Sequence, residues 1–286
     1  MSINFNGAAY PPDPARLTVA NTFSSQLEFT GLSATNDTSG MNRLLSDYEP
    51  MINGNEFSQL VLTTAQQVGA GSSGGAYLVN GMQATVTTTL SGSASCYTGE
   101  SVLSHQGFSG ATARTGLLMD LFFHGVMLRV EASTNWVMRI NFGVGNPTRV
   151  PPAAGVDVAT ARQWGIEFYY DGTNYVGRMY WYDTSINYGT PFTLPVITAA
   201  NWPNIVYSMR MRQTATGLLE FYINTPTAAL GGGRLSDTPT ATMQATWTSS
   251  VYGGRYINFE AANGNAAAAT TGVRIHCATM YGRFKA

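Results

Sequence analysis

Gln163-Trp164-Gly165-Ile166-Glu167-Phe168-Tyr169-Tyr170-Asp171-Gly172 opens a stretch, continuing to Thr225, in which aromatic and β-branched residues alternate with polar ones. Side chains alternate across a strand, so Ile166, Phe168 and Tyr170 share one face, and Glu167 and Tyr169 the other. The same parity sets Met179 and Trp181 against Arg178, Tyr180 and Tyr182, and Tyr207, Met209 and Met211 against Ser208, Arg210 and Arg212. It then sets Leu219, Phe221 and Ile223 against Leu218, Glu220 and Tyr222. Asp171-Gly172 and Thr216-Gly217 separate runs where a residue with positive φ is needed, which glycine supplies cheaply. The stretch reads as consecutive antiparallel strands of one sheet, with Phe168, Met179, Trp181, Met209, Met211 and Phe221 as core.

Upstream, residues 117–123, 126–131 and 136–142 read as strands, the last with Trp136, Met138, Ile140 and Phe142 inward. A strand at 57–64, a glycine-rich loop at 68–75 and a hairpin over 77–90 turning at Asn80-Gly81 precede them. Met41, Leu44, Leu45 and Tyr48 recur at helical spacing behind Ser39, a capping residue, and Pro50 ends that short helix. Residues 147–155 read as a loop, 156–162 as a helical turn and Gly231-Gly232-Gly233 as a second loop. Closing strands fall at 243–248, 256–260 and 273–281, the last alternating Val273, Ile275 and Cys277 against Arg274, His276 and Ala278.

About a dozen strands without a βαβ rhythm specify an all-β chain, an antiparallel β-sandwich with one or two short helices and an extended N-terminal arm. Pro11, Pro12 and Pro14 impose extended geometry on that arm. Docking on a neighbouring subunit and packing on its own domain are equally open to it. The expected divisions are 1–55 for arm and helix, 56–94 for a hairpin and loop region packing on the sandwich, and 95–286 for the sandwich itself.

Composition narrows the function classes. Only 11% of the 286 residues are charged, the formal net charge is −1, and Lys285 is the only lysine. Such a chain has no basic field to gather phosphates, so no nucleic-acid partner is expected. The start Met1-Ser2-Ile3-Asn4-Phe5-Asn6-Gly7 lacks the charged and apolar regions of a signal peptide. The most apolar run, 117–130, is too short and too interrupted by Asp120, His124 and Arg129 to cross a bilayer. A protein made in a cytoplasm, with no membrane partner, is the expectation. Cys96 and Cys277 read as buried free thiols, a single bridge being the alternative.

The runs from Trp164 to Gly172, Met179-Tyr180-Trp181, Tyr207-Ser208-Met209-Arg210-Met211 and Gly217-Leu218-Leu219-Glu220-Phe221-Tyr222-Ile223-Asn224 resemble the strand sequence of concanavalin A-like (laminin-G-like) jelly rolls. That resemblance implies a jelly-roll sandwich over residues 95–286, in a superfamily that includes lectins, glycanases and virion proteins. Its glycanases carry paired carboxylates on one strand, because one group must protonate the leaving oxygen while the other attacks or activates water. Glu167, Asp171, Asp183 and Glu220 never stand at that spacing, so no enzyme and no catalytic residue is expected.

Other motifs dissolve into composition. Residues 69–74 match G-x-G-x-x-G and residues 71–75 match G-x-S-x-G, but the following Tyr77-Leu78-Val79-Asn80-Gly81 reads as strand and turn, whereas both chemistries need a helix N-terminus. His105, His124 and His276 lie apart from second ligands, so no metal or other cofactor is expected; Asp171 and Asp237 are weak calcium candidates. Above background stands the outward set Glu167, Tyr169, Arg178, Tyr180, Tyr182, Arg210, Arg212, Glu220 and Tyr222, rich in the tyrosine and arginine favoured at interfaces and, for the aromatic rings, against sugar faces. A solvated face with cross-strand ion pairs is its plainer reading.

The expected function is a non-enzymatic structural virion protein. Such a protein would be a bacteriophage capsid decoration (cement) protein or other exterior component, self-associating as a homo-trimer and contacting major capsid or tail proteins. The alternative is a carbohydrate- or receptor-binding module of a tail fibre or spike, with Tyr188 and Trp202 as further ring candidates; a glycan-degrading enzyme ranks last and needs two carboxylates converging from different strands.

Overall fold

A computed structural model describes residues 49–52, 65–68, 72–78, 81–88, 90, 92–97, 118–143, 163–182, 185–214, 216–226, 235–246, 256–264 and 268–285. The expected arm, the helix at 39–48, the strand at 57–64, the loop at 147–155, the turn at 156–162 and the triple glycine lie outside them. The described residues from Pro50 onward belong to one compact unit.

The described strands make two eight-stranded sheets. The first takes β3 (Ser72–Leu78), β4 (Gly81–Val86), β6 (Leu118–Arg129), β12 (Tyr207–Gln213), β13 (Leu218–Ile223), β14 (Ala241–Gln244) and β16 (Val273–Lys285), in the order β14-β13-β12-β6-β16-β4-β3, with β1 (Glu49–Ile52) beside β16. The second takes β2 (Ala65–Val68), β5 (Ser93–Tyr97), β7 (Trp136–Gly143), β8 (Gln163–Tyr170), β9 (Tyr175–Tyr182), β10 (Ile186–Tyr188), β11 (Phe192–Thr193) and β15 (Tyr256–Asn263), in the order β10-β9-β8-β7-β15-β5-β2, with β11 beside β9. Pairs along both paths are antiparallel. Among the described residues there is no α-helix, only a 3-10 turn at Trp202–Asn204.

The expected sandwich is therefore present, and its core is the one that strand parity selects. Phe168, Met179 and Trp181 from the second sheet meet Met209, Met211 and Phe221 from the first. The rings of Phe168 and Phe221 touch edge to face with centroids 6.3 Å apart, an arrangement that suits the aromatic quadrupole. Trp136, Met138, Ile140 and Phe142 are inward as expected, as are Val273, Ile275 and Cys277. Cys96 on β5 and Cys277 on β16 are both buried and are not joined in a disulfide.

The expectation of one sheet for the stretch 163–225 is corrected. β8 and β9 are neighbours in the second sheet, whereas β12 and β13 are neighbours in the first. Antiparallel neighbours are joined by short loops, as in the turns holding Gly172 (φ +103°) and Gly217 (φ +82°). The chain between Tyr182 and Tyr207 instead holds β10, β11 and the 3-10 turn, and this long connection carries it from one sheet to the other.

Three further expectations change. Residues 118–129 form one strand rather than two, because Gly125, at φ +70°, sits in a bulge opposite β12 and lets the ladder with β16 continue past it. A Cβ there would lie 2.6 Å from that of Ala278. The glycine-rich segment is strand from Ser72 onward, pairing with β4 through a bulge between Ser72 and Gly74, and the hairpin closes at Leu78 opposite Gly81. The strand expected at 243–248 begins earlier, at Ala241.

Candidate functional site

The nine outward residues divide with the sheets. Glu167, Tyr169, Arg178, Tyr180 and Tyr182 lie on β8 and β9; Arg210, Arg212, Glu220 and Tyr222 lie on β12 and β13. They occupy the outer faces of opposite sheets and share no single surface.

On the second sheet, strand register lines up alternating charges. Glu260 on β15 stands opposite Arg139 on β7, Arg139 opposite Glu167 on β8, and Glu167 opposite Arg178 on β9. Arg139 Nε lies 3.3 Å from Glu167 Oε2 and its guanidinium 3.9 Å from Glu260. Arg178 donates to Glu167 Oε1 through Nε, at 3.1 Å, and also through Nη2. Glu167 is fully buried and Arg139 is 2% exposed, so each charge depends on its neighbours in the row. Aromatic rings close over it: Arg178 stacks on Tyr188, 3.5 Å from the centroid, and lies 5.2 Å from that of Tyr169, while Arg139 faces Tyr180. Burial pushes the Tyr169 phenol above its ordinary pKa. Tyr180 is fully buried, its hydroxyl 3.4 Å from Gln163 Oε1. In the adjacent row Asn258 donates to Asn141 at 2.8 Å.

On the first sheet, Arg210 grips Asp120 through Nε and Nη2 at 2.7 and 2.6 Å, and its guanidinium lies between the rings of Phe122 and Tyr222. Arg212 meets Glu220, directly opposite, at 3.1 Å. Burial raises the Tyr222 pKa, assisted by Glu220. His124 accepts from or donates to Ser208 at 3.2 Å, and burial lowers its pKa. These outer faces are thus ordered by intramolecular pairing, with Tyr182, Arg178 and Arg212 their partly exposed members.

Sequence reasoning overlooked Asp120, Arg139 and Glu260, the partners that complete the pairs. For Arg139 the signal was available, since it stands at an outward parity position between the recognised inward residues Met138 and Ile140; the strands of Asp120 and Glu260 were recognised without their inward sets.

Asp171 Oδ1 accepts from the backbone N–H groups of Asn174 and Thr173, at 2.7 and 2.8 Å, and these bonds hold its pKa below the usual carboxylate value. Its role is to close the β8–β9 turn. Among the described residues no cluster of three His, Cys, Asp or Glu side chains could hold a metal. His105 lies outside them.

Where the edge of each sheet comes round to the other, a cleft of about 270 Å³ opens. Its lining is Met179, Gly189, Thr190, Pro191, Phe192, Thr240, Ala241 and Thr242. Thr190, Pro191, Thr240 and Thr242 are exposed, Phe192 is half-buried and Met179 is buried. Phe192 is held against Phe221, with centroids 5.6 Å apart, and its ring packs on Gly177. The lining therefore combines exposed threonines with apolar residues and contains no charged side chain.

No protein-family model and no curated protein sequence matches the chain. Among solved structures it is similar to a legume lectin-like domain from Entamoeba histolytica, at 10% identity and TM-score 0.45, covering 76% of this chain and 88% of that one. It is similar to the CBM2 module of the evolved Dit of Lactobacillus casei BL23 phage J-1, at 11% identity and TM-score 0.45, covering 84% and 97%. It is also similar to arcelin-5, a lectin-like defense protein from Phaseolus vulgaris, at 7% identity and TM-score 0.47, covering 84% and 100%.

Proposed function

We propose that this chain is a non-catalytic carbohydrate-binding sandwich displayed on the exterior of a virion, taking a neutral sugar at the edge cleft between Gly189–Phe192 and Thr240–Thr242. The observation that carries the reading is the cleft's chemistry. Thr190, Thr240 and Thr242 line the cleft together with Met179 and Phe192, a mixed polar and apolar composition that suits the surface of a sugar ring. The charged members of the outward set, Glu167, Arg178, Arg210, Arg212 and Glu220, are by contrast engaged in ion pairs. The virion setting, with self-association and contacts to capsid or tail proteins, rests on the low-charge, threonine- and glycine-rich composition.

A glycan array compares the wild-type chain with Ala241→Trp, which fills the cleft. Binding of a defined glycan that disappears in the variant is the expected result. Absence of any bound glycan, or binding indifferent to the filled cleft, overturns the reading of the site. Mass spectrometry of purified particles tests the setting separately, and a particle lacking the chain removes it.

A further inference from the structure

Arg139, Arg178, Arg210 and Arg212 each meet a carboxylate. Arg129 on β6 and Arg274 on β16 do not: among the described residues their surroundings include no carboxylate partner, and they face one another directly across the ladder. Like charges in directly opposed positions destabilise a sheet. Both guanidinium groups nonetheless converge on a single ring, their Cζ atoms 5.6 and 5.5 Å from the centroid of Trp202. The remaining polar contact is long, Arg274 Nη1 to Gln83 Oε1 at 3.4 Å. Glu131, the acid closest to Arg129 in the described sequence, is already engaged by the backbone N–H groups of Thr270 and Thr271 and the hydroxyls of Thr271 and Ser133. Burial, and then the charge of Arg129, lower the pKa of Arg274. All three side chains retain partial exposure.

We infer that Arg129, Arg274 and Trp202 form a binding site for an oxyanion, a carboxylate, sulfate or phosphate, carried by an acidic saccharide or free in solution. An anion between the guanidinium groups replaces their repulsion with two charge-assisted contacts, and planar guanidinium suits an oxyanion's paired oxygens. The indole holds both arginine heads in place by cation–π contact, so little ordering is left for the ligand to impose. None of the edge-cleft residues takes part, so this site stands or fails independently of the neutral-sugar reading.

The test measures calorimetric binding and thermal stability of the full chain with sodium sulfate, sodium phosphate and a uronic-acid oligosaccharide, each against chloride at equal ionic strength to remove general screening. Saturable binding is expected in the wild type, and Arg129→Gln or Arg274→Gln should weaken it by about tenfold or more. In chloride alone these variants should be no less stable than the wild type, because each removes one member of a repelling pair. Trp202→Phe, which keeps a ring, should retain weaker binding. Saturation by inorganic ions as well as the oligosaccharide assigns a general oxyanion site; saturation by the oligosaccharide alone assigns an acidic-saccharide site. No saturable binding by any of the three, or binding unchanged in both arginine variants, overturns the inference.

Discussion

Arg210 and Asp120 are joined by two hydrogen bonds of 2.7 and 2.6 Å although they are not directly opposed: Arg212 stands opposite Asp120, and Arg210 reaches past Phe122 to it. At 8% and 5% exposure the two charges have little water to replace each other. Asp120→Asn should therefore lower stability by about 3 kcal/mol, since it leaves Arg210 desolvated beside a weaker acceptor. Urea denaturation checks this. The double variant Asp120→Leu with Arg210→Met should recover most of the loss, and a double variant no better than the single one would show that the pair is not the cause.

Glu131 ties the turn after β6 to the loop before β16. Burial raises its pKa, but bonds from the backbone of Thr270 and Thr271, and from the hydroxyls of Ser133 and Thr271, outweigh that and hold it below the ordinary glutamate value. A carboxyl whose folded pKa is depressed contributes stability above its unfolded value, near 4.5, and loses it as pH falls through the folded value. Glu131→Gln should thus cost about 1–2 kcal/mol at neutral pH, with the difference from wild type shrinking in acid below pH of about 4.5. Paired denaturation curves across that range measure it.

Gly165 and Gly177 differ in what a methyl group would meet. At Gly165 it would stand 2.3 Å from the Ile140 carbonyl oxygen and 2.7 Å from Asn141 Cβ; at Gly177 it would meet the Phe192 ring at 2.4 Å. Backbone of a central strand yields less than a ring on a two-residue edge strand. Gly165→Ala should cost about 3 kcal/mol and Gly177→Ala about 1–2 kcal/mol, measured by thermal denaturation.

Val196 carries φ +71°, between Pro195 and Ile197, whose N–H bonds back to the Pro195 carbonyl at 2.9 Å. A β-branched residue in that tight turn is strained, and at 50% exposure its side chain has limited packing to lose. Val196→Gly should raise stability by about 0.5–1 kcal/mol, the relief exceeding the added freedom of the unfolded chain. A lower melting temperature would refute this.

Cys277 donates to the Thr279 carbonyl at 3.2 Å, and burial pushes its thiol up to about 12. Thiolate is the reactive form, so neither buried cysteine should react with a disulfide reagent at neutral pH until denaturant is added. Titrating released chromophore with and without guanidinium distinguishes the cases.

Strand parity made the interior legible: Phe168, Met179, Met209 and Phe221 are where alternation assigns them. It could not say which strands adjoin. Alternation is a property of one strand, whereas sheet membership depends on connections such as the one between Tyr182 and Tyr207. For the same reason Glu167 could be recognised as outward but its neighbour Arg139, 28 positions away, could not be recognised as its partner. The edge cleft was invisible in the sequence because Thr190 and Thr240 meet only when the edges of two sheets come together.

The position of β16 bears on how the chain reaches this structure. Val273–Lys285 lies between β6 and β4, inside the first sheet rather than at its margin. During synthesis the strands on either side of it therefore wait, with backbone groups facing an empty place, until Val273–Lys285 has been made. Completion of the first sheet is accordingly late, slow in the manner of folds dominated by distant contacts, and most exposed to aggregation in that interval.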